Sequence, residues 1–71
     1  MGESTQRRNF LIAQGRLLAN GQRDHLTPEE WLYLASEVED DLIGPQKAIF
    51  ASFGENLRQQ IVVRALDMVA L

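Results

Sequence analysis

Glu37, Asp40 and Asp41 occupy positions i, i+3 and i+4 in the stretch SEVEDD, a spacing that brings three carboxylates onto one face of a helix. Such a face could bind a divalent cation, transfer a proton between paired carboxyl groups, or dock a basic surface. The cation is the weakest of these, because the Asp/Asn-rich loop with a turn glycine that calcium requires is missing. Zinc fares no better: the chain has no cysteine, and its single histidine, His25, stands in a polar loop without a second imidazole. Nucleophilic catalysis needs a nucleophile, an adjacent base and a group that orients the base. The serines are Ser4, Ser36 and Ser52, none lies in a glycine-flanked elbow, and one histidine would have to serve them all. The glycines, at positions 2, 15, 21, 44 and 54, are too dispersed to cradle a phosphate. No enzymatic activity, metal or cofactor is expected, which leaves the acids either neutralised within the chain or docking a basic partner surface.

Three helical segments must carry these residues, and no strand is read. The first runs over about 5–20, with Phe10, Leu11, Leu17 and Leu18 on one face and Asn20-Gly21 as its left-handed close. Ser4 or Thr5 is available to cap its start. Gly15 inside it costs about 1 kcal/mol relative to Ala unless it admits a neighbouring helix. The second, about 28–42, has the sharpest start: Thr27 as N-cap, Pro28 at N1, Glu30 at N3 completing a capping box, and Leu26 stapling onto Trp31. Trp31, Leu34, Ala35, Val38 and Leu42 form its apolar stripe, and Gly44-Pro45 ends it. The third, about 45–71, carries Ile49, Phe50, Phe53, Leu57 and Ile61, with a bend or break predicted near Gly54. The fold class is therefore all-α, a small bundle of three to four helices in which the first two form an antiparallel hairpin packed on the third segment.

At 71 residues the chain makes one domain, 1–71, near the size where a single core is marginal and no disulfide is available to reinforce it. An apolar fraction of 45% is ordinary for a folded chain and too high for a disordered one. The start, MGESTQRRNF, lacks the apolar core of a signal peptide, and Gln6 breaks the myristoylation pattern. No run reaches the roughly 18 apolar residues of a membrane span, so a cytoplasmic protein without membrane contact is expected.

Charge is unevenly spread along the chain. Residues 1–23 carry a balance of +3, residues 24–42 carry −7 with no Lys or Arg, and residues 43–71 carry +1. A short loop makes consecutive helices antiparallel neighbours, and one centred near Arg23-Asp24 would level residues whose numbers total about 47. Arg7 and Arg8 would then stand beside Asp40 and Glu39 and relieve their conflict with the end of the helix dipole. Asp40 and Asp41 also precede a helix start, where carboxylates are favoured. Such internal neutralisation competes with a role for the acids in recognition.

The second helix, the IGPQ turn and the third segment have a helix-turn-helix outline, with Gln46, Lys47, Asn56 and Arg58 as candidate groove readers. The apolar residues among them, the acidic helix ahead of them and the net charge of −3 weigh against nucleic acid as the partner. Trp31 lies on the core stripe, whereas Tyr33 falls among Glu29, Glu37 and Asp40 and is the better recognition element. Residues 32–61, LYLASEVEDDLIGPQKAIFASFGENLRQQI, resemble a helical bacterial family of unknown function. In that family an acidic helix of the form L-x-x-E-(I/V)-E-D leads through a glycine turn into a long helix. Leu34, Glu37, Val38, Glu39, Asp40, Gly44 and Leu57 are the matching positions. The family's connection is shorter and its next helix more basic, and the resemblance implies helices without implying an activity.

From Ile61 onward the sequence IVVRALDMVAL is apolar around most of a helix, with only Arg64 and Asp67 charged. The expected function is that of a small non-enzymatic interaction or regulatory protein that binds another protein and self-associates as a homo-dimer. Tyr33, Glu37, Asp40 and Asp41 would meet the partner; Val62, Val63, Leu66, Val69 and Leu71 would meet the second copy. A small helix-turn-helix-like nucleic-acid-binding regulator is the alternative.

Overall fold

The computed structural model describes residues 2–70, with the side chains of residues 5–69. Three α-helices occur in order: α1 (Gly2–Ala19), α2 (Pro28–Val38) and α3 (Pro45–Ala70), with a 3₁₀ turn at Glu39–Asp41 closing α2. No strand occurs among the described residues. α1 starts ahead of the expected cap at Ser4 or Thr5. It ends as the sequence implies: Gly21 adopts φ 79° while its N–H donates to Leu18 O and the Gln22 N–H donates to Leu17 O, a pair that ties off the last carbonyls.

α2 begins at the capping box read from TPEE. The Glu30 N–H donates to Thr27 Oγ1 at 3.1 Å, and the Thr27 N–H donates to Glu30 Oε1 at 2.9 Å. The hydrogen bonds to Thr27, the backbone one first, hold the Glu30 carboxyl below its ordinary range. The regular helix stops at Val38, short of the expected 42, and the three following acids sit in the tighter turn that often ends helices. Acids in the last turn of an α-helix oppose its dipole, which favours ending the α-helical hydrogen bonding before them.

Contacts across the chain set the packing. Arg7 reaches Glu37 and the Trp31 indole reaches the Leu11 carbonyl, so α1 and α2 run antiparallel. Arg8 Nη1 donates to Gln46 Oε1 and Gln60 Nε2 to Leu18 O, so α3 runs parallel to α1. The register of the first pair differs from expectation by about one helical turn. Arg7 meets Glu37 in place of Asp40, and Arg8 meets Gln46 in place of Glu39. The cause is the connection: the His25 N–H donates to Gln14 Oε1, so the chain doubles back along the last turns of α1 before α2 begins. Gln14 is itself buried, and its Nε2 lies 3.5 Å from Asp24 Oδ2.

Trp31 stands at the centre, 1% exposed, with Leu11 and Leu57 fully buried around it. Its Nε1–H donates to Leu11 O at 2.7 Å, its ring lies 5.5 Å from Phe50 and meets Phe53 edge-on at 6.1 Å. Gly15 makes this approach possible. A Cβ there would stand 2.6 Å from Phe53 Cδ2 and 3.0 Å from Trp31 Nε1. Gly54 plays no such part, and the break expected near it does not occur: α3 is continuous from Pro45 to Ala70. Gly54 is buried, with Leu32 Cδ2 at ordinary contact distance, 3.7 Å from where its Cβ would be. Packing of Phe50 and Leu57 on either side outweighs about 1 kcal/mol of helix propensity.

Stability is expected to be sensitive at both the close approach and the cap. Gly15→Ala gains about 1 kcal/mol of propensity but overpacks the Trp31–Phe53 contact by about 1–3 kcal/mol, so urea titration is expected to show a net loss. Stabilisation by this change would contradict the close approach. Thr27→Ala is expected to cost about 1 kcal/mol. The carboxylate form of Glu30 is the one the fold favours, so its contribution is full at neutral pH and fades as pH falls through its lowered folded value. The stability gap between the wild type and Glu30→Gln should therefore close on acidification, and a gap unchanged down to strongly acidic pH would refute the cap.

Candidate interaction surface

The acidic residues come together only in part. Tyr33 is 68% exposed, and Glu37, Asp40 and Asp41 are all exposed. Glu37 belongs to α2 and has Arg7 at 4.0 Å, while Asp40 and Asp41 lie in the 3₁₀ turn. Among the described residues no ion pair reaches Glu39, Asp40 or Asp41. The expected pairing of Asp40 and Glu39 with Arg7 and Arg8 is thus replaced by a single ion pair, Arg7 with Glu37, one turn earlier. The described residues include no group of three or more acids, histidines or cysteines arranged to hold a metal ion. Ser36 Oγ donates to the Tyr33 carbonyl of its own helix, and His25 lies 3.3 Å from Asp24 with its ring 6.0 Å from Phe10.

Between α2 and α3 runs a groove of about 390 Å³. Trp31, Leu42 and Phe50 form its apolar lining, and Glu39, Lys47 and Arg58 stand around it. The opposed charges on its rim show no preference for one sign of ligand.

The larger uncovered surface lies on α3. Its core stripe, Phe50, Leu57 and the half-buried Ile61, continues to Arg64, which donates to Glu29 at the start of α2. Beyond Arg64 neither α1 nor α2 has a packing partner for it, and the molecule's longest dimension reaches 48 Å. Val62 is 55% exposed, Val63 56%, Leu66 62%, Met68 77% and Val69 82%. At 3.6 residues per turn, Val62, Leu66 and Val69 project from the side of α3 roughly opposite Leu57 and Arg64. Leu71, the remaining residue expected in this set, lies outside the described residues. No helix among the described residues is long and apolar enough to cross a membrane.

The chain matches no family model, no curated protein and no solved structure.

Sequence reasoning missed Gln14. Its signal was present, since Leu11, Gln14, Gly15 and Leu18 fall at i, i+3, i+4 and i+7 and place an amide on the core stripe. Because no ion pair among the described residues holds Asp40 or Asp41, the double variant Asp40→Asn/Asp41→Asn is expected to unfold in urea within about 0.5 kcal/mol of wild type. A loss well beyond that would reveal internal pairing of these carboxylates.

Proposed function

We propose that this protein is a small non-enzymatic interaction protein that self-associates through the second half of α3. The observation that carries the reading is the apolar exposure of Val62, Val63, Leu66 and Val69, four residues within eight that their own chain leaves in water. Contiguous apolar patches of several hundred Å² on folded proteins usually mark interfaces. A continuous α3 strengthens this reading, because it extends the helix past its own hairpin instead of folding it back.

The acidic end of α2, with Tyr33, Glu37, Asp40 and Asp41, is then the free surface for a second protein with a basic docking face. The exposed carboxylates of Asp40 and Asp41, outside any ion pair among the described residues, support recognition over internal neutralisation. The helix-turn-helix alternative keeps Lys47 and Arg58, which are exposed on α3. Against it stands the acidic 3₁₀ turn between the two helices, whose carboxylates would repel a phosphate backbone.

Leu66→Asp separates these readings. Leu66 is exposed in the monomer, so its replacement should leave helical circular dichroism intact while shifting the sedimenting species from dimer to monomer at micromolar concentration. A wild-type protein that sediments as a monomer at tens of micromolar would refute self-association. Salt-dependent binding to duplex DNA, lost in Lys47→Ala/Arg58→Ala, would favour the nucleic-acid reading in its place.

A further inference from the structure

We infer that the second copy lies antiparallel along the whole outer face of α3, with the twofold axis passing near Arg58, so that each apolar tail covers the small residues at the start of the other copy's α3. This rests on the self-association proposed above and specifies its geometry. The outer face runs through Ala48, Ser52, Glu55, Gln59, Val62, Leu66 and Val69, steps of four and three that form one heptad-spaced seam. Every one of these positions is exposed, along with Ala51 beside them. α1 and α2 pack on the opposite side of α3, over Phe50 and Leu57, with Ala51, Glu55 and Arg58 at the edge of the groove against α2, so two copies can meet back to back along the outer face.

Three features of that face select the register. The first is size. The seam begins with Ala48, Ala51 and Ser52, which leave room for close helix approach, and ends with Val62, Leu66 and Val69, which need cover. Reversing one copy lays the large end of each on the small end of the other.

The second feature is charge. Glu55 and Arg58 form no ion pair within their own chain among the described residues. They border a recess of about 420 Å³ with Gln59, Val62 and Val63 on this same face. Around the axis they become two glutamates and two arginines, each carboxylate within reach of the other copy's guanidinium. This polar layer disfavours other registers, since a slip would carry each carboxylate away from the other copy's guanidinium.

The third is length. A stable interface buries about 800 Å² on each partner. The exposed tail alone, from Val62 to Val69, is only about 12 Å of helix, whereas Ala48 to Val69 is about 33 Å. Pairing centred on Leu66 would use the short stretch alone and would bring the two Asp67 carboxylates to the same edge. The full-length pairing avoids both.

The chain's lack of cysteine makes the geometry directly measurable. Ala51→Cys/Ala65→Cys places thiols at opposing heights on the same edge of the pair, both at exposed alanines. Mild oxidation should convert most of the double variant to a covalent dimer, while either single variant stays uncrosslinked because its own copies lie about 20 Å apart. Efficient crosslinking of Ala65→Cys alone would indicate tail-to-tail pairing about Leu66, and crosslinking of both single variants a parallel dimer; either overturns the inference and leaves self-association standing. Monomeric wild-type protein in sedimentation would remove both. As an independent arm, Glu55→Arg should weaken the dimer at least tenfold and Glu55→Arg/Arg58→Glu should restore it. Failure of the second change to rescue the first would count against the charged centre.

Discussion

The hydrogen bond from the Trp31 indole to the Leu11 carbonyl is the contact on which the arrangement depends. A buried indole N–H needs an acceptor, and helix carbonyls are ordinarily shielded by the side chains around them. Gly15, one turn after Leu11, removes that shield and lets the ring lie against the backbone of α1. Once Trp31 is seated, Phe50 and Phe53 of α3 close over it, and the three helices share one centre. A chain of 71 residues has few such centres available, which makes this one hard to replace.

From that centre outward, polar groups fix positions more than they add stability. Gln14 ties the connection to α1, Gln60 reaches the end of α1 from α3, and Glu29 with Arg64 joins the start of α2 to the point where α3 leaves the bundle. The last of these is an exposed pair that contributes a few tenths to about 1 kcal/mol, enough to orient α3 and too little to cover the apolar residues after Arg64. That uncovered tail is a consequence of the fold's own geometry. The hairpin is shorter than α3, and the excess helix retains a sequence suited to burial.

The sequence reveals its structure most directly where local chemistry decides the outcome. The capping box at Thr27 and Glu30, the left-handed Gly21, the stripe through Trp31, Ala35, Val38 and Leu42, and the surplus of apolar surface after Ile61 all depend on residues close in sequence. Expectation and structure part where a distant contact decides. Gly54 reads as a break because propensity is visible in the sequence and the packing of Phe50 and Leu57 is not. The α1–α2 register is misjudged by a turn because nothing in the loop's composition shows that His25 folds back onto Gln14. The same shift leaves Glu39 and Asp40 without the arginines expected to meet them, and so turns a supposed internal charge pair into exposed surface.

In the proposed dimer the outer face of α3 is complete only when a second copy covers it. Amide hydrogen exchange measured across a wide range of protein concentration addresses this at the residues concerned. Protection of residues 62–69 should rise with concentration, while that of residues 50–57, already packed on Trp31, stays constant. Protection of 62–69 that is the same in dilute and concentrated solution would contradict the account.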